Sequence, residues 1–126
     1  VEKNVKQANS FIKNRQNMKK FKIISVEQAY SYWIKNDGLL VDIHDSRSYI
    51  SNHIPRAIHL TNDNLSNFLE QTDFTELLMV MCYHGNSSKR VAQYLLEQGF
   101  TETYSIEGGF DAWSKRYLKN ITIDNG

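Results

Sequence analysis

Two short apolar runs, Leu39-Leu40-Val41-Asp42-Ile43 and Leu77-Leu78-Met79-Val80-Met81, constrain this chain more than any other feature. Neither alternates between apolar and polar positions, as a strand does when one of its faces meets water, so both read as strands covered on both faces. Strands of that kind belong to parallel sheets, whose crossover connections lay helices over each face. Ser25 stands at an N-cap position with Gln28 three residues on. Val26, Ala29, Tyr30 and Trp33 then follow the spacing of one buried helical face, up to an expected stop at Asp37-Gly38. Further helices are predicted over 46–52, from Asn64 to Gln71 around Leu65, Phe68 and Leu69, from Ser88 to Gln98 around Val91, Ala92, Leu95 and Leu96, and after Gly108-Gly109 around Phe110, Trp113 and Tyr117. Short strands are predicted at Lys22-Ile23-Ile24, from Ala57 to Leu60 and from Thr103 to Ile106. This alternation predicts an α/β domain with a mainly parallel central sheet and helices on both faces.

At 126 residues the chain has room for one core. Hydrophobic residues at 40% and aromatics at 12% are too many for a disordered protein. A single cysteine, Cys82, excludes an internal disulfide and a thiolate metal cluster. No apolar run approaches the roughly 18 residues of a membrane span, so a soluble protein without membrane contact is expected. The net charge of +1 conceals a division: residues 1–22 carry seven Lys or Arg against Glu2 alone, whereas the remainder carries eight basic and thirteen acidic residues. We therefore read residues 1–20 as a basic extension, 21–119 as the domain and 120–126 as a tail. The body is acidic, so nucleic acid is not the expected partner. The leader lacks the apolar middle of a secretory signal, which makes the cytoplasm the expected location, and Met18 is a candidate start for the domain.

The chemistry concentrates in Cys82-Tyr83-His84-Gly85-Asn86-Ser87-Ser88-Lys89, which joins the most apolar strand to a helix. Ligands of open α/β sheets bind beyond the carboxyl ends of the strands, where this loop lies. Gly85 and Asn86 tolerate positive φ, so the loop can curl and turn its amides inward as an anion-binding nest. The free amides of the following helix add about half a positive charge at the same place. An ordinary cysteine with a pKa near 8.5 is only about 3% thiolate at pH 7; one at a helix N-terminus falls to about 7.5 or below. A reactive thiolate at Cys82 is the expectation.

Several stretches beside this loop carry a family resemblance: Leu40-Val41-Asp42-Ile43, Asn52-His53-Ile54-Pro55-Arg56-Ala57-Ile58-His59-Leu60 and Glu107-Gly108-Gly109-Phe110-Asp111-Ala112-Trp113. In order and spacing they resemble the signatures of a single rhodanese domain, from about Phe21 to Tyr117. The cysteine loop, with Leu60-Thr61-Asn62-Asp63 upstream, is most similar to that of the small single-domain bacterial thiosulfate sulfurtransferases associated with glycerol-3-phosphate metabolism. The resemblance implies sulfane-sulfur transfer through a Cys82 persulfide, from thiosulfate to cyanide or to a dithiol such as reduced thioredoxin. The amides of Tyr83, His84, Gly85, Asn86 and Ser87 would bind the anion, with no metal or organic cofactor, in a monomer or weak dimer. A sulfur-relay module that takes its persulfide from a dedicated partner is the alternative.

The chain departs from the family pattern at four positions. Ser87 and His44 stand where many rhodaneses carry Arg, which predicts weak thiosulfate affinity, in the millimolar range or above. Asn52 and Arg56 replace two glycines. A cysteine phosphatase would need Arg six residues after the nucleophile, and Ser88 is there instead. His84 is read as a surface loop residue whose amide matters more than its ring, His53 and His59 as packing or hydrogen-bonding residues, and Asp42 as a buried structural acceptor, with a bond to backbone near the loop as the alternative. Lys89 and Arg90 raise the local potential just behind it.

Overall fold

The computed structural model describes residues 20–123. The chain runs β1 (Lys22–Ile24), α1 (Val26–Ile34), β2 (Leu39–Asp42), α2 (Ser46–Ser51), β3 (Asn52–His53), β4 (Ile58–His59), α3 (Leu65–Gln71), β5 (Leu77–Met81), α4 (Ser87–Glu97), β6 (Glu102–Ile106), α5 (Gly109–Arg116), a 3-10 turn (Leu118–Asn120) and β7 (Thr122–Ile123). Five strands form one parallel sheet in the order β1-β6-β5-β2-β4.

The two apolar runs lie side by side at its centre, Leu40 opposite Met79 and Val41 opposite Val80. Leu40, Met79 and Met81 face a core completed by Ala29, Ile54, Phe110 and Trp113, under α1 and α5. Val41, Leu78 and Val80 face the opposite way, onto Phe68, Ala92, Leu95 and Phe100 under α3 and α4. Each run touches a core on both sides, which is why it shows no alternation. The α/β architecture read from the sequence is the one observed, and no described helix is long and apolar enough to cross a membrane.

The capping box forms as the sequence predicts: Ser25 Oγ accepts from the Gln28 amide at 3.1 Å and the Gln28 side chain accepts from the Ser25 amide at 3.1 Å. The helix stops earlier than Asp37-Gly38. Asn36 takes φ +58°, and the amides of Asn36 and Asp37 donate back to Trp33 O and Tyr32 O at 3.0 and 2.9 Å. That is a left-handed cap of the Schellman type, built on Asn in place of Gly. Within residues 120–126, expected as a tail, β7 pairs antiparallel with β3, Asn52 opposite Ile123. The leader before Lys20, Met18 within it, and residues 124–126 lie outside the described residues.

Of the two residues that replace family glycines, Asn52 is extended at φ −162° and needs no special geometry. Arg56 adopts φ +68°, a left-handed conformation unfavourable for a side-chain-bearing residue. Its guanidinium donates to Trp33 O at 2.7 Å and lies 4.7 Å from the Trp33 ring centre, contacts that offset the strain.

Candidate active site

The sheet reverses its direction of growth between β2 and β5: the chain leaves β2 toward β4 at one edge, and leaves β5 toward β6 on the other side. The connections therefore part at the carboxyl ends of these two strands and open a crevice there. Cys82 follows β5 into that crevice and His44 follows β2. The Ile43 amide donates to Met81 O at 2.8 Å and keeps the two exits side by side.

Beyond Cys82 the loop curls through Gly85 at φ +93° into Asn86 at φ −90°, a left-then-right pair that turns successive amides inward. Positive φ is confined to Gly85; Asn86, expected to share it, begins the helical conformation. The Gly85 amide donates to Cys82 Sγ at 3.0 Å and the Ser88 amide does so at 3.3 Å. Asn86, at the N-cap of α4, makes no side-chain cap. The sulfur takes that role, because Ser88 is the second residue of α4 and its amide has no partner within the helix.

Ser88 Oγ lies 3.4 Å from Sγ and 2.8 Å from Ser105 Oγ. Both serines are fully buried, so this hydroxyl pair has no solvent to turn to, and Ser105 holds the Ser88 hydroxyl beside the sulfur. Cys82 itself is 7% exposed, at the floor of the curl and deeper than its position at a strand end predicts. Burial is the largest single influence on its thiol and pushes the pKa up. The hydrogen bonds from the Ser88 hydroxyl and from the amides of Ser88, Gly85 and Ser87 together outweigh it, and the pKa falls below that of an ordinary thiol.

The far side of the loop is held by a second helix end. The amides of Phe110 and Asp111 in the first turn of α5 donate to Cys82 O and Tyr83 O at 2.8 and 2.9 Å. No side chain caps α5, so the loop carbonyls satisfy it. Such close approach requires Gly109: a Cβ there would collide with Cys82 O and stand 2.7 Å from Tyr83 O. A Cβ on Gly85 would likewise meet Gly108 N at 2.8 Å. The loop is thus clamped from two sides, amides on the sulfur from α4 and amides on the carbonyls from α5.

The residues predicted from the sequence divide into two groups. Gly85 contacts the sulfur through its amide and Ser87 adds to its stabilisation. Tyr83, His84 and Asn86 are exposed, with the His84 ring edge-on to Tyr83 at 4.6 Å. Ser88 and Ser105 were missed. Ser88 entered the sequence reading as a loop residue, as a helix start and as the position where a phosphatase would need Arg, and not as a partner of the sulfur; Ser105, a small polar residue in a strand, carries no signal until the fold brings it to Ser88.

Asp42 serves β2's own exit and not the loop amides. Fully buried, it accepts the His44 amide at 2.8 Å, and its carboxylate oxygens lie 2.9 and 3.1 Å from His44 Nδ1. The His44 ring rests against Phe110 at 4.9 Å and Tyr83 at 5.6 Å. His44 Nε2 is buried with no hydrogen-bond partner among the described residues. His53 and His59 both stack on the Tyr49 ring, at 3.9 and 4.2 Å, and bond Tyr49 O and His44 O, in keeping with the packing and hydrogen-bonding roles expected.

An α/β sheet with a cysteine-bearing loop at its switch point defines the class. The Rhodanese-like domain family model matches residues 13–116, and the chain belongs to that family. Solved structures agree in fold. A rhodanese-like domain protein from Staphylococcus aureus superposes with a TM-score of 0.65 at 23% identity, over 74% of this chain and 91% of that one. A rhodanese-related protein from Thermoplasma volcanium gives 0.66 at 20% identity, over 77% and 94%. Reduced CoADR-RHD from Bacillus anthracis gives 0.69 at 20% identity, over 81% of this chain but 18% of that longer one.

Proposed function

We propose that this protein is a thiosulfate sulfurtransferase that works through a persulfide on Cys82. The supporting observation is the pair of amides, Gly85 and Ser88, directed at one sulfur whose pKa is lowered. Thiolate Cys82 attacks the outer sulfur of thiosulfate; the S–S bond of thiosulfate breaks and sulfite leaves with its electron pair. The resulting persulfide is again an anion, so the amides that favour the thiolate favour the product without rearranging. Cyanide or a dithiol such as reduced thioredoxin then attacks the terminal sulfur, and the electron pair returns to Sγ.

Similarity of the cysteine loop and of Leu60-Thr61-Asn62-Asp63 to the small bacterial enzymes associated with glycerol-3-phosphate metabolism supports the same reading, as a cytoplasmic monomer or weak dimer. The test is thiocyanate formation from thiosulfate and cyanide. Wild type forms it and Cys82→Ser does not, while freshly purified protein carries one added sulfur on Cys82 that dithiothreitol removes. Equal rates for the two proteins overturn the enzyme. A persulfide without turnover on thiosulfate indicates the sulfur-relay module instead.

A further inference from the structure

Apart from Cys82, Asp42 and His44 are the only ionisable side chains buried among the described residues, and the sulfur chemistry does not use them. A buried carboxylate is costly unless it is paired, and Asp42 takes its partner from the second residue after it. A carboxylate accepts hydrogen bonds, so the Nδ1 that faces it carries a proton. Any further proton on the ring resides on Nε2, which is buried without a hydrogen-bond partner among the described residues. The pair therefore has two states. It is neutral overall when Nε2 is protonated and carries one negative charge when Nε2 is bare.

That charge lies beside the cysteine loop. Asp42 stands opposite Met81, the residue before Cys82, on neighbouring strands that run about 4.8 Å apart. The His44 ring packs against Tyr83 and edge-on against Phe110, whose amide holds Cys82 O. A buried charge is screened far less than an exposed one, so its field extends to the amides that receive an anion. The other charged and titratable groups around His44 are Asp45 ahead of α2, His59 on β4, Tyr83 and His84 in the loop, Arg90 on α4 and Asp111 on α5. Asp111 is paired with Lys115. Asp45 and Arg90 keep their charges throughout the range in which histidines titrate, whereas His59 and His84 are histidines themselves and have to be separated from His44.

We propose that His44 decides how well the crevice accepts an anion: protonated, it cancels the charge of Asp42, and deprotonated, it leaves the loop facing that charge. The inference deepens the persulfide reading and rests on it, since thiosulfate and the persulfide are both anions. An Arg at this position, as in many rhodaneses, would cancel the charge of Asp42 at every pH. With His44 in its place, acceptance of the anion depends on one proton.

Alkylation of Cys82 tests this without any persulfide. Iodoacetamide is neutral and iodoacetate is an anion, and both lose iodide to the same thiolate. The ratio of their rates therefore cancels the ionisation of Cys82 and reads the charge that an approaching anion meets. In wild type the ratio of iodoacetate to iodoacetamide rates should fall at least about threefold between about pH 5.5 and about pH 8.5. His44→Arg should hold the high ratio throughout, and His44→Gln should hold the low one. The KM for thiosulfate should rise over the same interval in wild type and stay level in His44→Arg. A wild-type ratio that does not vary with pH overturns the role of His44 and leaves the persulfide chemistry standing. So does a fall that survives His44→Arg or His44→Gln, which then belongs to His59 or His84. Absence of thiocyanate from wild type overturns the persulfide reading instead, and the alkylation ratio still decides the role of His44.

Discussion

Ser88 is the residue on which the reactivity of Cys82 turns, since it offers the sulfur both an amide and a hydroxyl. Ser88→Ala removes only the hydroxyl. The pH midpoint for alkylation of Cys82 by iodoacetamide, expected below that of an ordinary thiol in wild type, should rise in the variant. Turnover near neutral pH should fall about fivefold, the weight of one hydrogen bond of about 1 kcal/mol. The linkage to stability has a definite sign. A thiol whose folded-state pKa lies below its unfolded value adds stability that is complete above the unfolded value and is lost as pH falls through the folded one. The stability gap between wild type and Ser88→Ala, read from urea melts, should therefore narrow from about pH 9.5 to about pH 6. Arg56 poses a different question, because strain and contact oppose each other there. Arg56→Gly relieves the left-handed strain as it loses the Trp33 contacts, so denaturant melts should move by less than about 1 kcal/mol. Arg56→Ala keeps the strain and loses the contacts, which costs about 1–3 kcal/mol.

The loop works because two helix ends meet on it. The first turn of α4 faces the sulfur and the first turn of α5 faces the carbonyls, and neither helix has a side-chain cap of its own. Gly109→Ala places a methyl group against Cys82 O and Tyr83 O at a residue with φ +57°. It should cost about 2 kcal/mol or more in stability and at least about tenfold in thiocyanate formation, with the alkylation midpoint of Cys82 moving up as the loop is displaced. At this scale the chain was legible wherever a local signal is strong. The capping box of α1, the limits of β5 and the turn at Gly108-Gly109 follow from residue types and spacing alone. The end of α1 was misplaced because Asn36 accepts the left-handed cap before Gly38 is reached. β3 and β7 were not legible, since two-residue strands have no period and exist only through pairing between distant segments.

In the whole molecule, one central strand serves two cores and leads into Cys82. Leu78 and Met79, adjacent and both fully buried, belong to opposite faces. Leu78→Ala should destabilise the domain by about 2–5 kcal/mol in a denaturant melt. In the protein that remains folded, the alkylation midpoint of Cys82 should be unchanged, because the groups that stabilise the thiolate belong to Gly85, Ser87 and Ser88. The parallel architecture and the position of the cysteine at a strand end are properties the sequence determined by itself. Unbroken apolar runs can be buried only between two layers, and a Gly-containing loop between such a strand and a helix has few paths open to it. The tertiary structure alone decided which groups surround the sulfur. Ser105 reaches Ser88 from β6, and α5 reaches the loop from behind. These encounters depend on through-space distance between segments far apart in the chain, which no local pattern of residues encodes.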